Sequence, residues 1–179
     1  MNINGTFINL RLVEVSDAPF ILSLRIDGRL NRFLSAVGDD VGRQFAWLES
    51  YKARERRGEE FYWIIEDLAS VSLGTIRLYD MDHDDRSFTW GSWILKAGSP
   101  PQFAMESAIL MYDFGFYTLR FGVARMGVRK GNTGVVAFHR RFGASPAGED
   151  EQNLDFRLIA EDYAVTRRRY ADLLKLRGI

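Results

Sequence analysis

Few residues in this chain ordinarily titrate near neutral pH, and their positions narrow the chemistry. Cysteine is absent and there are two histidines, His83 and His139. The lack of cysteine removes a thiol nucleophile, thiolate metal sites and disulfides together. His139 stands in VRKGNTGVVAFHRRFGA, residues 128–144. There Val135, Phe138, His139 and Phe142 recur at i, i+3, i+4 and i+7, one face of a helix, with Arg140 and Arg141 pointing elsewhere. Such a histidine is either a packing residue or a proton carrier, since an imidazole with an ordinary pKa donates and accepts near neutral pH. His83 sits among Asp80, Asp82, Asp84 and Asp85. That cluster reads as a polar turn, because Asp favours turns, and its spacing lacks the D-x-D-x-D-G pattern of a calcium loop. No metal is expected.

The elements that must position these residues follow from periodicity and punctuation. TFINLRLVE reads as a first strand, and Ser16 offers an oxygen to cap a helix carrying Phe20, Ile21 and Leu24. A second helix begins near Asp40 and ends near Gly58, with Val41, Phe45 and Leu48 at helical spacing. FYWIIED, SLGTIRLYD and SFTWGSWIL are aromatic and β-branched runs that predict an antiparallel meander, with MDHDDRS as the last turn. After Pro100 and Pro101, QFAMESAILMYDFGFYTL is apolar on nearly every side and predicts a central buried helix. Then come a strand FGVARMGV, the helix of His139, a strand NLDFRLIA and a charged helix through RRRYADLLKL. The order β-α-α-β-β-β-α-β-α-β-α predicts a mixed α/β (α+β) fold, a single domain over residues 1–179.

Composition sets the outer limits. The chain has 24 basic and 24 acidic residues for a formal net charge of zero, so nothing points to nucleic acid. Its apolar runs fall short of the roughly 18 residues that cross a bilayer, so no membrane span is expected. The N-terminus lacks a basic segment followed by an apolar core, and a cytoplasmic protein is expected.

This order of elements, with V-x-x-x-N and a short helix ending in F-G, resembles the GCN5-related N-acetyltransferase (GNAT) superfamily. Val128, Asn132, the helix VVAFHRRF and Gly143 carry the resemblance, which covers nearly the whole chain. The text LRLVEVSDAPFILSLRIDGRLNRFLS is most similar to the branch that acetylates nucleotide-linked amino sugars. Next is the branch acetylating ribosomal protein N-termini. The resemblance implies direct transfer from acetyl-CoA to a primary amine of a small molecule in a ternary complex, by a monomer or homodimer. A non-catalytic binding module of the same fold is the competing class, on the strength of SPPQFA, residues 99–104.

The resemblance also implies roles for residues. The family's cofactor loop falls on Ser99 to Ala104, where Gln102, Phe103, Ala104 and Met105 present N–H groups to the pyrophosphate, or merely start a helix. Prolines at 100 and 101 suit a first helical turn but donate nothing. In the family a β-bulge splays the strand equivalent to SFTWGSWIL, which marks Gly91 as the bulge and Trp93, Ile94 and Leu95 as partners of the pantetheine amides. Trp90 and Trp93 serve ligand or core. The family's tyrosine proton donor lies seven residues beyond the asparagine, and here that position is His139, with Asn132 as the asparagine. SFTWGSWIL has no carboxylate to serve as base, which leaves Ser92, His83, water, or capture of free amine. Arg25 and Asn31, with Asp27 and Arg32 beside them, are expected near the acceptor, where guanidinium suits a diphosphate; Arg167, Arg168 and Arg169 read as a solvated face.

Overall fold

The computed structural model describes residues 1–35 and 37–174. Its elements are β1 (Ile3–Asn4), β2 (Ile8–Leu12), α1 (Ala18–Ile26), α2 (Val41–Arg56), β3 (Phe61–Asp67), β4 (Ser72–Asp82), β5 (Ser87–Leu95), α3 (Pro101–Asp113), β6 (Val123–Arg129), α4 (Thr133–Arg141), β7 (Ser145–Glu149), β8 (Asn153–Ile159) and α5 (Ala160–Leu174). All eight strands form one sheet in the order β1-β2-β3-β4-β5-β6-β8-β7. The mixed α/β class stands, with two strands more than the sequence predicted.

The apolar run FYWIIED follows from a sheet covered on both faces. Tyr62 and Ile64 join Val13, Ile21, Leu48 and Tyr51 beneath α1 and α2. Trp63 and Ile65 alternate to the other face, joining Ile76, Leu78, Ile109 and Tyr112. α3 is buried from Glu106 to Tyr112 and runs on into a π turn, Phe114–Thr118. A Cβ on Gly115 would lie 2.2 Å from the Phe88 ring, so glycine lets this turn press on β5. The buried Glu106 carboxylate accepts N–H bonds from Thr6, Phe7 and Ile8 at 2.6, 2.8 and 2.9 Å, which anchors the start of β2 on α3.

Several local expectations change. Ser16 lies in a short 3-10 turn, and the entry to α1 is instead set by Asp17, which accepts from Glu14 N at 2.7 Å and pairs with Arg11. At α2 the reading holds: Asp40 Oδ1 accepts from Gly42 N at 2.8 Å, and Gly58 follows the helix at φ +72°. β7 reads SPAGE, exposed throughout, and exists through its pairing to β8. The last residues of the predicted C-terminal helix, Lys175 and Leu176, lie outside the described residues. Among the described residues no helix is long and apolar enough to cross a membrane.

Candidate active site

The site begins where two neighbouring strands part. β5 and β6 are parallel but pair only at Ser87↔Val123, Phe88↔Ala124 and Thr89↔Arg125. Beyond Thr89, β5 stays with β4 while β6 keeps its full pairing with β8, so a V-shaped cleft opens between residues 90–95 and 126–129. A bulge turns β5 away. Thr75 pairs with Ile94 but Arg77 with Gly91, which leaves one extra residue on β5. The strained position is Ser92 at φ +47°, one residue after the expected Gly91. Thr75 Oγ1 donates to Ser92 O at 2.9 Å and holds the kink. Gly91 serves packing: a Cβ there would lie 2.9 Å from the Tyr79 hydroxyl.

Two cavities meet at this kink. The inner one, 140 Å³, is lined by Trp90, Trp93, Val128, Asn132, Val135 and His139, among others. The outer one, 470 Å³, is lined by Arg25, Trp47, Arg77, Tyr79, Arg129 and Asn153, among others. Both are lined by Phe33, Leu34, Ser92, Gly127 and Arg129, so Ser92 and Gly127 stand at the junction. The segment 27–35 that follows α1 lines both. Its turn, in which Leu30 N and Asn31 N bond Asp27 O, sends Leu30, Phe33 and Leu34 into the cavities. Asn31 lines neither, and its Oδ1 is buried with no hydrogen-bond partner among the described residues, so its expected place at the acceptor is corrected.

His139 is 4% exposed. On α4 the buried residues are Val136 and His139, with Val135 and Phe138 half-buried beside them, so the inward face is rotated slightly from the one read in the sequence. The imidazole stands edge-on to Trp90 at 5.5 Å and stacks on Phe156 at 6.1 Å, and its Nδ1 lies 3.4 Å from the Tyr112 hydroxyl. Burial pushes its pKa down to about 4. The ring is therefore neutral at neutral pH, and the ordinary value expected from sequence does not hold. Among the described residues no carboxylate lines either cavity. His83 is exposed on the β4–β5 turn against Phe121, where Asp82 Oδ1 accepts from Asp84 N and Asp85 N. The structure does not bring His83 to the cleft, because the turn lies at the closed end of the V, and it is corrected as a base candidate. Among the described residues no cluster of three His, Asp or Glu could hold a metal ion.

The predicted cofactor residues separate into those that face the cleft and those that do not. Lys96 N bonds Leu73 O at 2.8 Å, which makes the next inward pair Ile94↔Thr75 and leaves Leu95 N–H and C=O on the open edge. Ile94 is corrected: its backbone faces β4. Trp93 lines the inner cavity, its indole donating to Ser107 Oγ at 3.1 Å. Asn132 caps α4, Oδ1 accepting from Val135 N at 3.3 Å. At the start of α3, Phe103 N bonds Pro100 O at 2.9 Å, which uses up one of the predicted donors; Gln102 N–H, on an exposed residue, has no helical acceptor. Phe103 and Met105 pack on the core and Ala104 is half-buried. An unpaired strand edge beside a narrow, aromatic cavity fits a pantetheine arm and its amides. Arg77 and Arg129 were missed, although period 2 sets Arg77 on the face away from Ile76 and Leu78, and Arg129 on the face away from Ala124, Met126 and Val128.

The family model for the acetyltransferase (GNAT) domain matches residues 8–145. The chain belongs to the GNAT acetyltransferases. The solved structure of apo FdhC, a nucleotide-linked sugar GNAT, has a TM-score of 0.88 to this GNAT at 40% identity, covering 97% of this chain and 98% of that one. A spermidine N-acetyltransferase from Vibrio cholerae, in complex with CoA and spermine, shares the fold at a TM-score of 0.75 and 18% identity, over 88% of this chain and 98% of that one. No curated protein sequence matches. This GNAT is an enzyme of acyl transfer.

Proposed function

We propose that this enzyme transfers the acetyl group of acetyl-CoA to the amine of a nucleotide-linked amino sugar. One observation carries the reading: among the described residues, three guanidinium groups and no carboxylate line the acceptor cavity. Among the described residues Arg25 Nη2 bonds Ser35 O and Oγ, at 2.8 and 3.0 Å, Arg129 bonds the Gln152 amide, and neither forms an ion pair. Arg77 shares the buried Glu60 with Arg54. Its guanidinium lies over the Trp47 and Tyr79 rings, at 5.3 and 4.7 Å. Such a cavity favours a diphosphate beside an aromatic-bound base, and opposes a polyamine. The likeness to a nucleotide-linked sugar GNAT at 40% identity supports the same acceptor class.

Acetyl-CoA supplies a thioester along the open Leu95 edge, and the acceptor enters from the outer cavity. The amine nitrogen bonds the carbonyl carbon, the carbon–sulfur bond breaks, and one proton passes from nitrogen to sulfur. Nearby arginines lower the pKa of an ammonium group and so enlarge its free-amine fraction, which offsets the lack of a carboxylate base. Ser92, at the junction, offers its hydroxyl to orient the amine. His139 offers an N–H to the sulfur as charge builds there, a stabilisation worth most in a dry site. A cysteine-free chain needs no oxidising compartment, and the reading sets the reaction in the cytoplasm.

The test is acetyl-CoA consumption with nucleotide-linked amino sugars, free amino sugars, spermidine and short peptides. The nucleotide-linked acceptors should give the highest kcat/KM. Arg129→Gln should raise their KM about 10- to 100-fold, the loss of a charged hydrogen bond, while free amino sugars change little. Equal turnover of free and nucleotide-linked sugars, or preference for spermidine or peptides, would sink the acceptor assignment.

A further inference from the structure

The histidine of this site is held from beneath by a residue of another element. Tyr112, in the last turn of α3, is fully buried, and its hydroxyl reaches two possible acceptors: His139 Nδ1 at 3.4 Å and Met126 Sδ at 3.8 Å. A thioether sulfur is a weak acceptor and an unprotonated imidazole nitrogen a good one. Burial keeps the phenol protonated by raising its pKa. The phenol proton therefore goes to Nδ1, the better acceptor. The opposite arrangement, with the proton on Nδ1, would leave the phenol proton to the weakly accepting sulfur.

From this geometry, and resting on the acetyl-transfer reading above, we infer that Tyr112 is a positioning residue that fixes His139 with its proton on Nε2, facing the cleft. Among the described residues no hydrogen bond reaches Nε2, and the imidazole lines the inner cavity. The ring then acts as a neutral donor whose protonation does not change during turnover. If Nε2–H were surrendered to the sulfur, Nδ1 would have to take the phenol's proton and leave a phenolate fully buried, which is costly. The proton that ends on sulfur therefore comes from the attacking amine. A tyrosine–histidine pair of this kind orients the ring as outer partners orient metal-bound histidines.

Nitrogen-15 NMR of the imidazoles tests this directly, because the chain has two histidines and His83→Asn assigns them. Wild-type enzyme at neutral pH should show His139 protonated on Nε2 and bare on Nδ1. In Tyr112→Phe, which keeps the ring, the tautomers should mix, and kcat should fall about tenfold with both KM values nearly unchanged. A wild-type Nδ1–H tautomer overturns the assignment without any variant. So does Tyr112→Phe if its tautomer stays fixed, or if the tautomers mix with kcat intact. The expected tautomers in a protein that acetylates none of the amines offered would support the positioning and overturn the acyl-transfer reading instead.

Discussion

Making the buried imidazole of His139 titrate should destabilise the fold at mildly acid pH, because burial penalises its charged form. Its pKa falls from 6.5 to about 4 on folding, through desolvation. The unfolded chain takes up a proton near pH 6.5, the folded one only near pH 4. A depressed folded pKa gives stability that is complete above pH 6.5 and lost as pH falls towards 4. The full loss is about 3 kcal/mol, and at pH 5 about 2 kcal/mol has already gone. Comparison with His139→Phe isolates this from the carboxylates, since Phe joins the rings of Trp90, Phe138 and Phe156 and carries no proton. The assay is urea unfolding of both proteins between pH 8 and 5. The wild-type stability minus that of the variant should fall by about 2 kcal/mol over that range, without a change in m. Parallel pH curves would refute the buried neutral imidazole, and with it the claim that His139 acts without changing its charge. The same reasoning fixes the acid limb of kcat/KM: it should follow the acceptor's amine rather than a group titrating near 6.5.

Two further outcomes test the cleft itself. Leu95→Pro removes an N–H that the sheet does not use; compared with Leu95→Ala, which loses the same core packing, its acetyl-CoA affinity should be about tenfold lower by calorimetry while the two unfolding midpoints stay close. A large loss of stability relative to Leu95→Ala would mean that this N–H belongs to the sheet. Gly115→Ala forces a methyl against the Phe88 ring and should cost about 1–3 kcal/mol in urea unfolding; an unchanged midpoint would contradict the close approach of the π turn to β5.

The fold was legible where residues state their own environment. The apolar runs of β3, β4 and β5, the Asp40 cap and the Gly58 stop are local signals, and each element formed where they stand. SPAGE carries no such signal, since its strand exists only because β8 offers an edge. Asn31 misled for a related reason. Its polarity suggested a ligand, but the turn built on Asp27 O directs its hydrophobic neighbours inward.

The sequence by itself determined which element carries His139 and that the histidine faces inward, because helical spacing decides both. It also determined, through the absence of cysteine and of any carboxylate in SFTWGSWIL, what the chemistry would lack. Only the tertiary structure decided the rest. Tyr112 is 27 residues from His139 along the chain, and Arg25, Arg77 and Arg129 come from α1, β4 and β6. They converge because β5 and β6 part after three paired residues, and no local pattern encodes where two strands stop pairing. Burial, a property of the packed whole, then takes the imidazole from an ordinary titrating group to one held neutral.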